Sequence, residues 1–292
     1  MRLTLIALFF AGLLACDGLS APQTFVMVGA GDIAGCTSGG DEITAKLVVG
    51  VLEQYPGASV FTLGDNVYPN GTSGEFTDCY NPSWGSFKAR THPVPGNHDY
   101  NTANATGYYG YFGDKAGDPS KGYYSYNLGN WHVVVVNSNC AAIGGCEAGS
   151  VQELWLRSNL KASSNQCQIV MWHHPRFSSG LEHGNADFMQ DIWKAVAENH
   201  VELVLNGHEH TYERFASMNA IGETDSSGTT EILVGSGGIS HYHVGIKKPN
   251  SQSFDSDTYG VLKLELLASS YNFKFLPQPG KSFTDSGSGV CR

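Results

Sequence analysis

The chain has 292 residues, of which 41% are hydrophobic and 36 are glycine, and its formal net charge is −10. That length accommodates one large domain or two small ones, and the hydrophobic content suffices for a full core. So acidic a chain has no general attraction for DNA, RNA or anionic membrane surfaces, so no nucleic-acid-binding surface is expected, and an anionic substrate would need a local positive centre.

In chain order the first feature is "MRLTLIALFFAGLLACDG". Arg2 precedes an apolar run from Leu3 to Ala15 that is too short to span a bilayer comfortably and matches the basic head and apolar middle of an export signal. "LLAC", Leu13 to Cys16, resembles the bacterial lipoprotein cleavage box, in which the cysteine becomes lipidated, although Leu14 is not the usual small residue there; ordinary cleavage near Ala21 is the competing reading. The expectation is a signal over 1–21, one domain over 22–292, and a product outside the cytoplasm, either secreted or anchored by lipid through Cys16 at the cell surface. Beyond Cys16 there are six cysteines, an even number that suggests disulfides in an exported chain. Cys140 and Cys146 flank a short glycine-containing loop, and Cys291 bonded to Cys167 would hold the C-terminus, which leaves Cys36 with Cys79. Buried free thiols are the alternative, and the absence of a C-x-x-C pair argues against cysteine-bound zinc.

Short runs rich in Val, Ile and Leu follow at 24–32, 59–65, 168–174, 201–208 and 230–238, each ending in glycine or a polar cluster. They read as strands buried on both faces. Residues 123–137 read as a hairpin turning at Leu128-Gly129-Asn130, and 259–277 as a second antiparallel pair. Ile43, Leu47, Val51 and Tyr55 recur at helical spacing, as do Phe188, Ile192 and Val196, and Ser150 with Glu153 opens a third helix with a capping-box pattern. Strands alternating with helices, with antiparallel pairs added late, give an α/β chain with mixed sheets.

The residues just past these strands carry the chemistry. They are Asp32; Asp65 and Tyr68 in "GDNVY"; Asn97, His98 and Asp99 in "GNHD"; His173 and His174 in "VMWHHP"; and His208 and His210 in "GHEH". Ligands in open α/β sheets bind beyond the carboxyl ends of strands. Hard oxygens with imidazoles and no thiolates suit Zn, Fe or Mn, and the donors outnumber what one ion would use. Two neighbouring ions can share a carboxylate, hold a hydroxide and clamp a phosphate. A lone "GD" after a strand is commonly only a turn; the ordered combination at strand ends is what points to a site.

That ordered set, "GDIA", "GDNVY", "GNHD", "VMWH" and "GHEH", resembles the signature of the purple acid phosphatases within the calcineurin-like metallophosphoesterases. The departure is Ala34-Gly35 where the family has glycine directly. The resemblance implies a four-layer α/β/β/α sandwich with two mixed β-sheets. It implies that Asp32, Tyr68 and His210 hold one ion, usually Fe(III), that Asn97, His173 and His208 hold a divalent Zn, Fe(II) or Mn(II), and that Asp65 bridges the two. The implied function is an exported phosphatase that cleaves small phosphate monoesters by attack of a metal-bound hydroxide. His98, partnered by Asp99, is the first candidate proton donor to the leaving alcohol, and His183 resembles a substrate-facing histidine of the family. Arg176 and Arg214 are candidate phosphate contacts, with a surface ion pair as the other reading for Arg214. His241 and His243 are candidates for shaping the pocket. His174 has no place in the ligand set and reads as a support or a strand cap. Glu209, Glu213 and nearby carbonyls are candidate acceptors for the imidazole N–H groups. Two other functions fit the same residues: a phosphodiesterase or nucleotide-cleaving esterase, and a non-catalytic metal-binding surface protein.

Overall fold

The computed structural model describes residues 23–292, so the expected signal at 1–21 and the Cys16 lipidation site lie outside the described residues. The first strand, Phe25–Ala30, is an uninterrupted apolar run, and Val26, Met27, Val28 and Ala30 are all buried. A strand covered on both faces requires such a run rather than an alternation. It lies inside a six-stranded sheet of order 286–290, 270–277, 260–266, 25–30, 59–62, 91–92. It pairs in parallel with Ser59–Thr62, Val28 opposite Val60, and antiparallel with Gly260–Leu266, Val28 opposite Lys263. Ser59–Thr62 in turn pairs in parallel with Thr91–His92.

The second sheet has seven strands, in the order 251–255, 212–215, 230–234, 203–206, 167–171, 131–135, 124–128. Thr230–Val234, Leu203–Asn206, Cys167–Met171 and Trp131–Val135 run parallel at its centre, and the flanking strands are antiparallel. The expected hairpin is present, with Leu128 opposite Trp131. The expected pair at 260–266 and 270–277 is present as well. Both large sheets are therefore mixed.

Alternation of side chains along the seven-stranded sheet divides the interior. Val133, Val135, Ile169, Met171, Leu203 and Leu205 share one core with residues of the six-stranded sheet, among them Met27, Val60, Leu262 and Phe275. Val134, Val136, Val170, Trp172 and Val204 face the other way and pack with Leu156 and Leu160 of the helix Val151–Ala162 and with Ile192, Trp193 and Val196 of the helix Gln190–Glu198. A one-residue slip of any of these strands would exchange the two faces, so the register is fixed from both sides.

The helix Gly40–Gln54 packs against Gly260–Leu266 through Ala45, Val48 and Val51; of the residues read as its stripe, Val51 is buried while Ile43 and Leu47 are half-buried beside it. Ser150 caps the third helix as expected, its Oγ accepting from Glu153 N, while the Glu153 carboxylate accepts from Gly149 N rather than closing the box on Ser150. Phe188 is a correction: it precedes the helix Gln190–Glu198 and is 54% exposed. Strands at Tyr212–Phe215, Ser251–Asp255 and Ser286–Val290, and short helical turns between 73 and 116, were not legible as such.

The cysteines pair as Cys36–Cys79, Cys140–Cys146 and Cys167–Cys291, with Cα separations of 4.7, 5.2 and 5.2 Å. The third bond joins a central strand of the seven-stranded sheet to the residue just past the edge strand of the other sheet, across 124 residues of sequence.

Candidate metal centre

The parallel strands all deliver their carboxyl ends to one rim. Phe25–Ala30 leads to Asp32, Ser59–Thr62 to Asp65 and Tyr68, Thr91–His92 to Asn97, Cys167–Met171 to His173, and Leu203–Asn206 to His208 and His210. The two "GD" turns lie side by side: Asp32 N donates to Gly64 O at 3.0 Å, and Ile33 N donates to Asp65 O at 3.1 Å. Asp32, Asp65 and His208 have φ of 61°, 48° and 72°, a left-handed conformation that side chains other than glycine rarely adopt. Strain of about 1 kcal/mol or more at each such residue persists only where the surroundings over-determine it, and it concentrates at functional sites. Gly207 is required by contact: a Cβ there would meet Asp32 Oδ2 at 2.6 Å and Leu63 O at 2.7 Å.

The seven expected donors form one contiguous network. The Tyr68 hydroxyl lies 2.9 Å from Asp32 Oδ1, 2.9 Å from Asp65 Oδ2 and 3.1 Å from His210 Nε2. Tyr68 therefore faces the cluster and not the core. His173 Nδ1 is 2.7 Å from Leu63 O, which can only accept, so Nδ1 carries the proton and Nε2 is turned inward. That Nε2 lies 3.1 Å from Asn97 Oδ1, 3.2 Å from His208 Nδ1 and 3.3 Å from Asp65 Oδ2. His208 N donates to Asp32 Oδ2 at 2.8 Å, and His98 N donates to Asp65 Oδ1 at 2.8 Å.

Two carboxylates buried at 0% and 1% exposure need a positive partner, and without an ion a single imidazole, that of His173, answers that need. Burial and Asp65 push the Asp32 carboxyl up, with His173 opposing. Burial works on Asp65 in the same direction, but the charge of His173 wins and holds it well below the usual carboxylate range. Burial disfavours the charged form of His173, yet Asp65 brings its pKa up to about 9. Burial lowers His210 to about 3 and His174 to about 3, and it pushes His208 well down. Burial beside Asp32 and Asp65 raises the Tyr68 phenol well above 10. The donor chemistry suits hard or borderline cations: Asp32, Asp65 and His173 offer atoms within 4.8 Å of one another, as do His173, His174 and His208.

His98 faces the cluster, its Nε2 4.0 Å from Asp65 Oδ2 and its ring centroid 4.3 Å from that of Tyr68. Its Nδ1 partner is Pro69 O at 2.7 Å, not Asp99. Asp99 is fully buried on the far side of the turn, where its carboxylate accepts from Gly96 N at 2.8 Å and Asn66 Nδ2 at 2.9 Å. His183 reaches the mouth and stacks on His208 at 4.1 Å. His174 stands behind His208, ring centroids 4.3 Å apart, with its Nδ1 2.7 Å from Ser138 Oγ.

Other expectations are redirected. Arg176 pairs with Asp187 at 2.9 Å, and Arg214 with Asp285 at 2.7 Å, so neither guanidinium is turned to the cluster. Glu209 and Glu213 do not receive imidazole protons; Glu209 accepts from the amides of Glu182, His183 and Gly184, and Glu213 from that of Ser179, which fixes the loop that carries His183. The partners of the imidazoles are Leu63 O, which accepts from His173, and Ser240 Oγ, 2.7 Å from His210 Nδ1. Tyr242 stacks on His210 at 3.8 Å, while His241 stacks on Tyr259 and His243 contacts Glu182. In the loop "SHYH" it is thus Ser240 and Tyr242 that face the site, while His241 and His243 turn elsewhere.

A family described as calcineurin-like phosphoesterase matches residues 28–212. The chain belongs to the calcineurin-like phosphoesterase family. Within it, the chain is similar to purple acid phosphatase 15 of Arabidopsis thaliana, 29% identical over an alignment of 215 residues that covers 61% of this chain and 40% of that protein. It is similar also to the probable purple acid phosphatase 20 of the same plant, 28% identical over 132 residues, 43% of this chain and 30% of that one. The chain thus spans less than half the length of these curated relatives. Among solved structures, a purple acid phosphatase from yellow lupin seeds superposes with a TM-score of 0.74 at 19% identity, covering 92% of this chain and 54% of that one. A Plasmodium protein described as the anchor in the inner membrane complex superposes at 0.70 with 17% identity, covering 92% and 89%. At these identities the likeness is one of fold.

Proposed function

We propose that the chain is an exported, metal-dependent phosphatase that cleaves small phosphate monoesters at a paired cation centre. The observation that supports this most is the single network of seven donors, in which the Asp65 carboxylate lies between an Asp32–Tyr68–His210 side and an Asn97–His173–His208 side. Asp32, Tyr68 and His210 would hold one ion, Asn97, His173 and His208 the other, with Asp65 shared. The phenol of Tyr68 favours Fe(III) on its side, and the neutral donors opposite suit a divalent Zn, Fe(II) or Mn(II). Two such cations would supply Lewis acidity, an acidified water at neutral pH, and local positive charge against an acidic chain.

The chain's own groups would do the rest. With His98 Nδ1–H donating to Pro69 O, its Nε2 lies beside Asp65, where a second proton held on it would pass to the departing alkoxide and leave the neutral imidazole. His183, on the loop fixed by Glu209, closes the other side of the mouth and would hydrogen-bond a phosphate oxygen. Asp99 acts through the turn: by tying Gly96 and Asn66 it positions Asn97. The three disulfides support passage through an oxidising compartment.

The test combines metal analysis with turnover of p-nitrophenyl phosphate and its bis ester. The expected result is two ions per chain, a monoester preference, and loss of turnover in Asn97→Ala and His208→Ala. Full activity in either variant would refute the assignment, and a strong diester preference would replace the substrate class.

A further inference from the structure

A cavity of about 600 Å³ opens next to the cluster, lined among others by Tyr100, Ser138, Ala141, Ala142, His174 and Phe188. We propose that this cavity receives the alcohol portion of the substrate and selects phosphate esters of aromatic alcohols over esters of small polar ones; the proposal rests on the phosphatase reading above.

The cavity and the cluster share a wall. The His174 ring lies 4.3 Å from His208 on one side and 5.5 Å from the edge-on ring of Phe188 on the other. Ser138 Oγ holds that imidazole in place, at 2.7 Å from Nδ1 and 3.1 Å from the backbone N of the same residue. The cavity thus adjoins the Asn97–His173–His208 side, and the ester substituent of a phosphate seated there would occupy it, on the Phe188 side.

The lining chemistry defines the guest. Among the described residues no Lys, Arg, Asp or Glu lines the cavity, so they offer nothing there to recognise a second phosphate or a polyanionic chain. Apolar surface with a few polar groups is the common composition of an organic-ligand pocket, and the volume falls in the usual range. Phe188 is 54% exposed although a buried core lies within reach of the neighbouring helix, whose Ile192 and Trp193 are fully buried. An aromatic ring left out of the core and set beside an imidazole offers a stacking surface. The cavity is also rigid on its far side: Ala141 and Ala142 belong to the short turn Cys140–Ile143, which the Cys140–Cys146 bond closes, and Asn139 Nδ2 donates to Gly96 O at 3.3 Å, next to Asn97.

Two comparisons on the metal-loaded protein test this. In the first, phenylphosphonate and methylphosphonate are titrated calorimetrically. The expected result is phenylphosphonate bound roughly fivefold tighter or more, with that margin lost in Phe188→Ala and in Ala142→Trp, which fills the exposed floor. In the second, kcat/KM is measured for 2-phenylethyl phosphate and ethyl phosphate, whose alcohols are of similar acidity, so their ratio reports the cavity rather than the leaving group. The ratio should exceed one and fall about fivefold in both variants, chiefly through KM. Equal binding of the two phosphonates, or a margin that both variants retain, would overturn the proposal. Hydrolysis of neither ester would contradict the phosphatase reading instead, while the phosphonate titration still decides the cavity.

Discussion

The two sides of the donor cluster are built differently. Asp32, Tyr68 and His210 are 0%, 8% and 3% exposed, and Ser240, Tyr242 and the paired "GD" turns close around them. Across Asp65, only His173 is buried; Asn97 and His208 are partly exposed, and His183, stacked on His208, stands at the mouth opposite His98, which lies over Tyr68 and Asp65. A closed side with every donor braced suits permanent retention of an ion. An open side suits exchange and the arrival of substrate.

The largest effect belongs to the group the two sides share. Asp65→Ala should abolish binding at both and cost about a thousandfold or more in kcat, because several kcal/mol of charge stabilisation depend on it; elemental analysis and turnover check this together. Next comes a pair of variants that separates the sides. His208→Ala should retain one ion and the visible band expected of a Tyr68–Fe(III) contact, whereas His210→Ala should lose that band; the same spectrum from both would erase the distinction. Ser240→Ala removes only the brace on His210 and should weaken the closed side by about tenfold in affinity, with no change opposite, measured by chelator competition.

Loading should also release protons. Without an ion, the His173 pKa stands at about 9 and the Tyr68 phenol well above 10, so both are protonated at neutral pH, while ligation requires both to lose a proton. Binding at the His173 side should therefore weaken as pH falls below about 9. Calorimetry in buffers of different ionisation enthalpy counts the protons, and zero release would contradict the ligand roles. The smallest effect on the site is expected from Cys167→Ser. It opens the bond spanning 124 residues and should lower stability by on the order of 4 kcal/mol, as denaturant titration would show, with the visible band in place.

Much of this site was legible because its parts sit in fixed places on a periodic frame. A buried parallel strand needs an unbroken apolar run, and the first polar residues past the run are obliged to lie at the sheet's rim; that logic located Asp32, Asp65, His173 and His208. It could not say which way adjacent residues point. His98 and Asp99 are neighbours in sequence, yet the tight turn after Asn97 sends the imidazole to the cluster and the carboxylate to Gly96 and Asn66. The supports were hidden for a related reason. Ser240 and Tyr242 come from a distant loop, and nothing in "SHYH" favours its polar and aromatic positions over its histidines until the alternation is anchored. Phe188 matched a helical stripe by spacing alone, and the chain enters that helix only after it.

The account rests on a paired and unequal cation centre. Brief exposure of the loaded protein to a chelator, with metal counted and the visible spectrum recorded over time, tests it most directly. The expected course is two ions per chain falling quickly to one, with the band attributed to Tyr68 intact throughout; a single ion at saturation, or two that depart together, would contradict it.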